Sequence, residues 1–277
     1  MRNLFKLVII IFTLFSSISL SSRNREIAPG QDIQNAINTA EEGDILIFQP
    51  GEYLIQKAWV INKKKKLHFV GKDNVKIYLT SRQENILQIT ESVDIRFSHF
   101  QFFSRYPADN NTPVESQQAG IIVQKSELIT FVNCIFDGCG AVGFSGSESK
   151  NISFSECTFT RFTKTAMEIK STENFILRKS EIKNNQDSEG VILISENSKI
   201  IYLFKNNITD NKNGQTRVEN SEKILIRKNL FKANKKALEI RRCIQISLKD
   251  NVYIQSGNPP VINENNVQFQ EEGNRIE

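Results

Sequence analysis

The chain has 277 residues, 39% hydrophobic and 24% charged, with 36 Lys and Arg against 31 Asp and Glu for a formal net charge of +5. That length supports one large domain or two modest ones around a sizeable core, and the composition excludes both a disordered chain and a polytopic membrane protein. Nineteen Phe against one Trp and two Met favour β rather than helical packing.

Arg2 and Lys6 precede an almost wholly apolar run over residues 7–15, and Ser16, Ser17, Ser19, Ser21 and Ser22 offer small side chains to a peptidase. The pattern predicts a secretory signal over residues 1–22 and a single domain over 23–277. The apolar run is too short for a spanning helix, which needs about 20 residues, so no transmembrane segment is expected after signal removal. Loss of Arg2 and Lys6 leaves 36 − 2 = 34 basic side chains against 31 acidic ones, a charge of +3. So mild an excess does not imply nucleic acid as a partner. The expected location is exported: periplasmic, extracellular or at the cell surface.

Next in chain order, Ile33, Ala36, Ile37 and Ala40 fall on one helical face, predicting a capping helix over about residues 31–41. A strand over Ile45 to Phe48, a turn at Pro50-Gly51, and a basic, hairpin-like link over Lys63 to Lys66 follow. Beyond them a single pattern recurs: two apolar residues flank a polar one, a small or amide residue stands three positions on, and an apolar residue two beyond that. It reads Val93-Ile95-Ser98-Phe100, Ile129-Phe131-Cys134-Phe136, Ile152-Phe154-Cys157-Phe159, Phe175-Leu177-Ser180-Ile182, Ile201-Leu203-Asn206-Ile208, Ile224-Ile226-Asn229-Phe231 and Ile246-Leu248-Asn251-Tyr253. Successive copies are offset by 36, 23, 23, 26, 23 and 22 residues.

Most copies carry an earlier alternating pair, as at Ile121-Val123, Met167-Ile169, Thr216-Val218 and Leu238-Ile240. A repeat of two short strands, a sharp bend and a third very short strand cannot bury its apolar face alone, so copies must stack. The fold expected is all-β, a right-handed parallel β-helix of about ten coils. Stacking would superimpose Cys134, Cys157, Ser180, Asn206, Asn229 and Asn251 at roughly 4.8 Å, the spacing of strands, where amides can form a ladder. Cys134 and Cys157 are expected to be free, stacked thiols. His68 and His99 lie among apolar neighbours and no metal-ligand spacing occurs, so neither a metal nor another cofactor is expected; Asp137, after Phe136, either takes Ca²⁺ or a sugar or caps its turn.

The order Ile33-Gln34-x-Ala36-Ile37, Gly43-Asp44, Pro50-Gly51-x-Tyr53 and Gly71 resembles the opening of the pectin-lyase-like superfamily of β-helix proteins. The resemblance covers nearly the whole mature chain and implies the fold and an association with carbohydrates. The polygalacturonase, pectin methylesterase and pectate lyase signatures are absent, although Gln118-Ala119, Cys134, Phe136 and Gly138 partly match the methylesterases. Lyases of this fold that use a Lys and an Arg on neighbouring coils make a looser demand, and Arg161, Lys164 and Arg241 are the catalytic candidates it leaves.

Glu168, Arg217 and Glu239, with Lys170, Glu219 and Arg241, are expected to project outward from the first strands, either as a saccharide site or as ordinary cross-strand pairs. The 36-residue interval exceeds its neighbours by 36 − 23 = 13 residues, an insertion over 103–118 in which Tyr106 could stack on a sugar and Arg105 meet a carboxylate. The function expected is an exported protein presenting a surface for a polysaccharide or cell-envelope glycan. A lyase or epimerase on an acidic polysaccharide, and a structural or adhesive surface protein, are the alternatives.

Overall fold

Period-two alternation sends every second side chain of each short strand inward, and stacking those strands in parallel turns the inward positions into columns. The computed structural model of the protein describes residues 22–81, 84–104, 119–186, 190–211, 214–257 and 260–277. The signal segment and the insertion, including Arg105 and Tyr106, therefore lie outside the described residues, apart from Ser22, Phe103 and Ser104. Among the described residues the first strands of the coils form a nine-stranded sheet running from Trp59–Asn62 to Val261–Glu264, and the second and third strands wrap into a nineteen-stranded sheet. Every pairing is parallel. The result is the β-solenoid of about ten turns that the repeat implies.

The cap is shorter than expected. Helix α1 spans Ile33–Asn38, opened by the Asp32 side chain accepting from the Asn35 N–H, with Ile33, Ala36 and Ile37 buried. It ends at Thr39, so Ala40 is buried from the following turn. The lysine link is a corner between two sheets rather than a hairpin: Lys63 and Lys66 take left-handed φ of 55° and 48°, and the flanking strands Trp59–Asn62 and Lys65–Leu79 belong to different sheets. The residues that carry the superfamily resemblance are structural. Tyr53 donates its hydroxyl to the carbonyls of Ile27 and Gln49, each at 2.8 Å, and a Cβ on Gly71 would stand 2.4 Å from the His99 carbonyl oxygen.

The earliest copy of the repeat is shifted by two residues from its expected register. Ile95 pairs with Ile129 and Phe97 with Phe131, so the equivalents of Cys134 and Phe136 are Phe100 and Phe102, the latter pairing directly with Phe136. Phe100 is fully buried where later coils have a small or amide residue; a search for a small residue therefore settles on Ser98 instead. In the neighbouring inward column Phe69, Phe97, Phe131 and Phe154 stack face to face at 4.4, 5.3 and 4.9 Å.

Further along, the amide column forms as expected. The Asn229 side-chain oxygen accepts from both the backbone N–H and the amide of Asn206 (2.9 and 3.0 Å), while the Asn229 amide donates to Leu203 O and to Asn251 Oδ1 (2.9 and 3.1 Å). Asn251 repeats the arrangement on Asn274. A second ladder, five residues on, joins Asn185, Asn211 and Asn234. A third corner is held by hydroxyls, Ser92 to Ser126 to Ser149. The residue before each peg is left-handed, as at Glu156, Lys179, Lys205 and Lys228, and this turns the chain sharply and frees the backbone N–H that the neighbouring coil must satisfy. Replacing Asn229 by Leu orphans the Asn206 N–H and the Leu203 carbonyl. Urea unfolding should show a loss of about 2 to 4 kcal/mol, whereas Lys228→Gln beside it should be nearly neutral.

Cys134, Cys139, Cys157 and Cys243 are all free and buried. Burial and the Cys157 thiol push the Cys134 thiol well up, and burial pushes Cys139 up to about 12. The unfolded chain releases such protons near the ordinary thiol value of 9.0, so this contribution is fully present below that pH and is lost as pH rises from there to about 12. Unfolding free energy should decline across that window more steeply than in a Cys139→Ala variant. Iodoacetamide at about pH 8 should label the thiols only after denaturation, as read by mass spectrometry.

Candidate functional site

The outward side chains of the nine-stranded sheet fall into two columns. One runs Glu168, Leu193, Arg217, Glu239 and the other Lys170, Ser195, Glu219, Arg241. Glu239 is only 3% exposed, despite pointing outward, because its neighbours fold over it. Arg217 Nε lies 2.8 Å from one carboxylate oxygen, Arg241 a guanidinium nitrogen 2.5 Å from the other, and the Gln215 amide donates to the same group. Arg241 also meets Glu264 at 3.0 Å, Glu219 is shared by Arg217 and Arg242, and Lys170 reaches Glu168 at 2.9 Å. These charges neutralise one another across adjacent strands. Replacing Glu239 by Leu leaves two guanidinium groups facing each other, both about a third exposed. Thermal unfolding should report a loss of about 1 to 3 kcal/mol, below the figure for fully buried pairs because water still reaches both arginines.

Arg241 is not brought to the other two catalytic candidates. Arg161 sits at a left-handed corner (φ 62°) and hydrogen-bonds Asp137 through its Nε, and that carboxylate raises its affinity for its proton. Asp137 is thereby engaged by a cation of its own chain rather than open toward calcium or a sugar. Lys164 lies just before the Thr165–Lys170 strand, its backbone N–H on the Ala141 carbonyl. Arg241 stands three strands further along the sheet, about 14 Å at the usual strand spacing. A base and a carboxylate-binding cation for one sugar ring must act within a few ångströms of each other.

The second-strand face is different, and its outward residues were not singled out from the sequence. In successive coils the residue next to the inward pair is left-handed: Asn174, Ile200, Lys223, Gln245 and Gln268, with φ of 58°, 59°, 57°, 61° and 56°. The alternation is broken there, so two consecutive side chains point outward before the pleat resumes. A β-branched Ile200 in this conformation carries about 1 to 2 kcal/mol of local strain. This row, with Ile176, Tyr202, Leu225, Ser247 and Gln270 in register beside it, lines an open trough of about 930 Å³. Ile200 and Leu225 are 41% and 38% exposed. Tyr202 stacks on Phe204 at 5.4 Å with the rings 12° from parallel. The signal for this face lay one residue off the inward register, where Ile176, Tyr202 and Leu225 follow one another.

The fold and its ladders define a parallel β-solenoid of the pectin-lyase-like kind. The family model described as right handed beta helix region matches residues 106–276, more than half of the chain, and the chain belongs to that family. Among solved structures it is similar to ORF18 of Geobacillus virus E2 (14% identity, TM-score 0.61, 84% of this chain and 56% of that one). It is also similar to an alginate lyase from Paenibacillus sp. str. FPU-7 (12%, 0.58, 90% and 99%) and to the Streptococcus pneumoniae surface protein and adhesin PfbA (11%, 0.55, 92% and 100%). The chain spans about half the length of the viral protein and of a similar α-1,3-glucanase catalytic domain. Identities this low carry the fold alone. No curated protein matches the chain. No helix among the described residues is long and apolar enough to cross a membrane.

Proposed function

We propose that the protein is exported and binds a polysaccharide or cell-envelope glycan along the second-strand trough, without turning it over. The observation that carries this reading is the trough's lining. An aromatic ring, Tyr202, and apolar side chains lie between Asn174 at one end and Gln245, Ser247, Gln268 and Gln270 on two adjacent strands at the other, which offer amides and a hydroxyl. Sugars present apolar C–H faces and equatorial hydroxyls, so a face mixing a ring with amides meets both. The solved structures of similar fold include glycan-acting enzymes and a surface adhesin, which is compatible with this reading and with an exported location.

Binding is preferred to the lyase or epimerase reading because Arg161 and Arg241 are each engaged by carboxylates of the chain. A glycan array probed with the intact protein should give hits that Tyr202→Ala weakens about tenfold, the order expected for one stacked ring. The unfolding midpoint should be nearly unchanged, since Tyr202 is an outward residue. Arg161→Ala should leave the hits in place. An array without hits, or ultraviolet-absorbing unsaturated products from an acidic polysaccharide, would overturn the proposal.

A further inference from the structure

Beside the trough the surface changes character. The outward row next to Tyr202 runs Arg178, Phe204, Arg227, Lys249 on consecutive strands. At the corner one residue on, Lys179, Lys205 and Lys228 stack in left-handed conformations. Elsewhere on this sheet like charges are kept apart. The row beginning the second strands alternates as Glu127, Lys150, Glu173, Lys199, Glu222, with ion pairs of 3.2 Å at Lys150–Glu173 and Lys199–Glu222. At the ends of the basic stripe Lys179 pairs with Glu156 and Lys249 with Glu272. In its middle Arg178, Lys205, Arg227 and Lys228 form no close ion pair among the described residues, although Arg227 acts electrostatically on Glu272 and Asp250 follows Lys228 in the corner row. Arg178 donates to Ser155 Oγ, and Lys205 Nζ stands 5.1 Å from the centre of the Phe204 ring. Arg227 Nε is shut off from water with no hydrogen-bond partner at all.

Like charges stacked on neighbouring strands repel, and a buried guanidinium N–H without an acceptor costs more than an ordinary hydrogen bond is worth. The repulsion is relieved when an anion lies along the stripe. We infer that the stripe of Arg178, Lys205, Arg227 and Lys228 reads the acidic groups of an extended anionic glycan, whose sugar rings run in the adjoining trough. The inference rests on the proposed binding of glycan there and names the ligand's class. Guanidinium groups take carboxylate and sulfate alike through paired N–H bonds, and Phe204, stacked on Tyr202, joins the stripe to the trough. A flat anionic membrane is less well matched, because the apolar residues line a trough that suits a chain.

Titration calorimetry on the intact protein should separate the possibilities, with dextran as the neutral chain, dextran sulfate as the sulfate probe and polygalacturonate as the carboxylate probe. At least one acidic chain should bind more tightly than dextran, and the logarithm of its affinity should fall with that of salt concentration with a slope of about −3, four contacts at roughly 0.7 each. The double variant Arg178→Gln with Arg227→Gln should weaken that binding about tenfold or more. Lys63→Gln with Lys125→Gln removes the same charge at corners remote from the stripe and should not weaken it. The salt slope of the unaltered protein stands even if the arginine variant fails to fold. Equal binding of dextran and the acidic chains, with no salt dependence, would overturn the inference and leave glycan binding intact. Equal losses in the two double variants would mean diffuse charge rather than a stripe, and would overturn it too. Binding to vesicles of anionic phospholipid but to no polysaccharide would overturn both.

Discussion

In-register parallel stacking is the constraint on which everything else in this protein depends. Each coil hydrogen-bonds only to its neighbours, so a residue's environment is set by the equivalent residues one coil above and below. Three corners per coil must turn sharply without exposing or orphaning backbone groups. The chain meets that demand with a left-handed residue followed by a small peg whose oxygen accepts the N–H of the adjacent coil. Where Asn fills the peg, as at 206, 229 and 251, the amide also donates to a carbonyl and binds three coils at once. Where Cys fills it, at 134 and 157, the thiol donates weakly to a carbonyl of the neighbouring coil, and where Phe100 fills it the ring packs edge-on against Phe97.

The same stacking decides what each face can do. On the nine-stranded sheet opposite charges alternate along and across strands, and Glu239 is enclosed by its own partners. A ligand would have to break internal pairs to engage that face. On the second-strand face Arg178, Lys205, Arg227 and Lys228 form no close ion pair among the described residues, and Ile200 and Leu225 are exposed. Internal satisfaction, more than the presence of charged residues, separates a supporting face from one available for binding.

The fold was legible because it is written repeatedly: one inward pattern recurring at a near-constant interval fixes parallel stacking, the burial of Phe131, Phe154 and Leu177, and the Asn206–Asn229–Asn251 column. The register slipped only where the pattern's polar mark vanished, at Phe100. The site was much less legible. Arg161, Lys164 and Arg241 answer to the chemistry of a lyase, and one sequence does not reveal that Arg161 leans on Asp137, although the repeat already sets Arg241 three coils beyond Lys164. The trough was overlooked because it depends on a backbone irregularity, the left-handed residue beside the inward pair, which residues as unlike as Asn174, Ile200 and Lys223 all adopt. Nothing in their chemistry announces a shared conformation; neighbour pairing imposes it.

The row of left-handed residues along the trough also has a consequence for how such a surface can change. Its wall is made by whole coils, each contributing one unit, so the trough has a grain: its reach comes in steps of a single strand spacing. The trough is lengthened by duplicating a coil of some 22 to 26 residues, not by stretching a loop. A one-residue insertion within a second strand would instead slide Tyr202 or Leu225 out of line and divide the surface in two. Lineages of this architecture would therefore be expected to vary in coil number by integers while keeping the lateral profile of each coil, much as a ruler is extended by adding divisions and not by widening them.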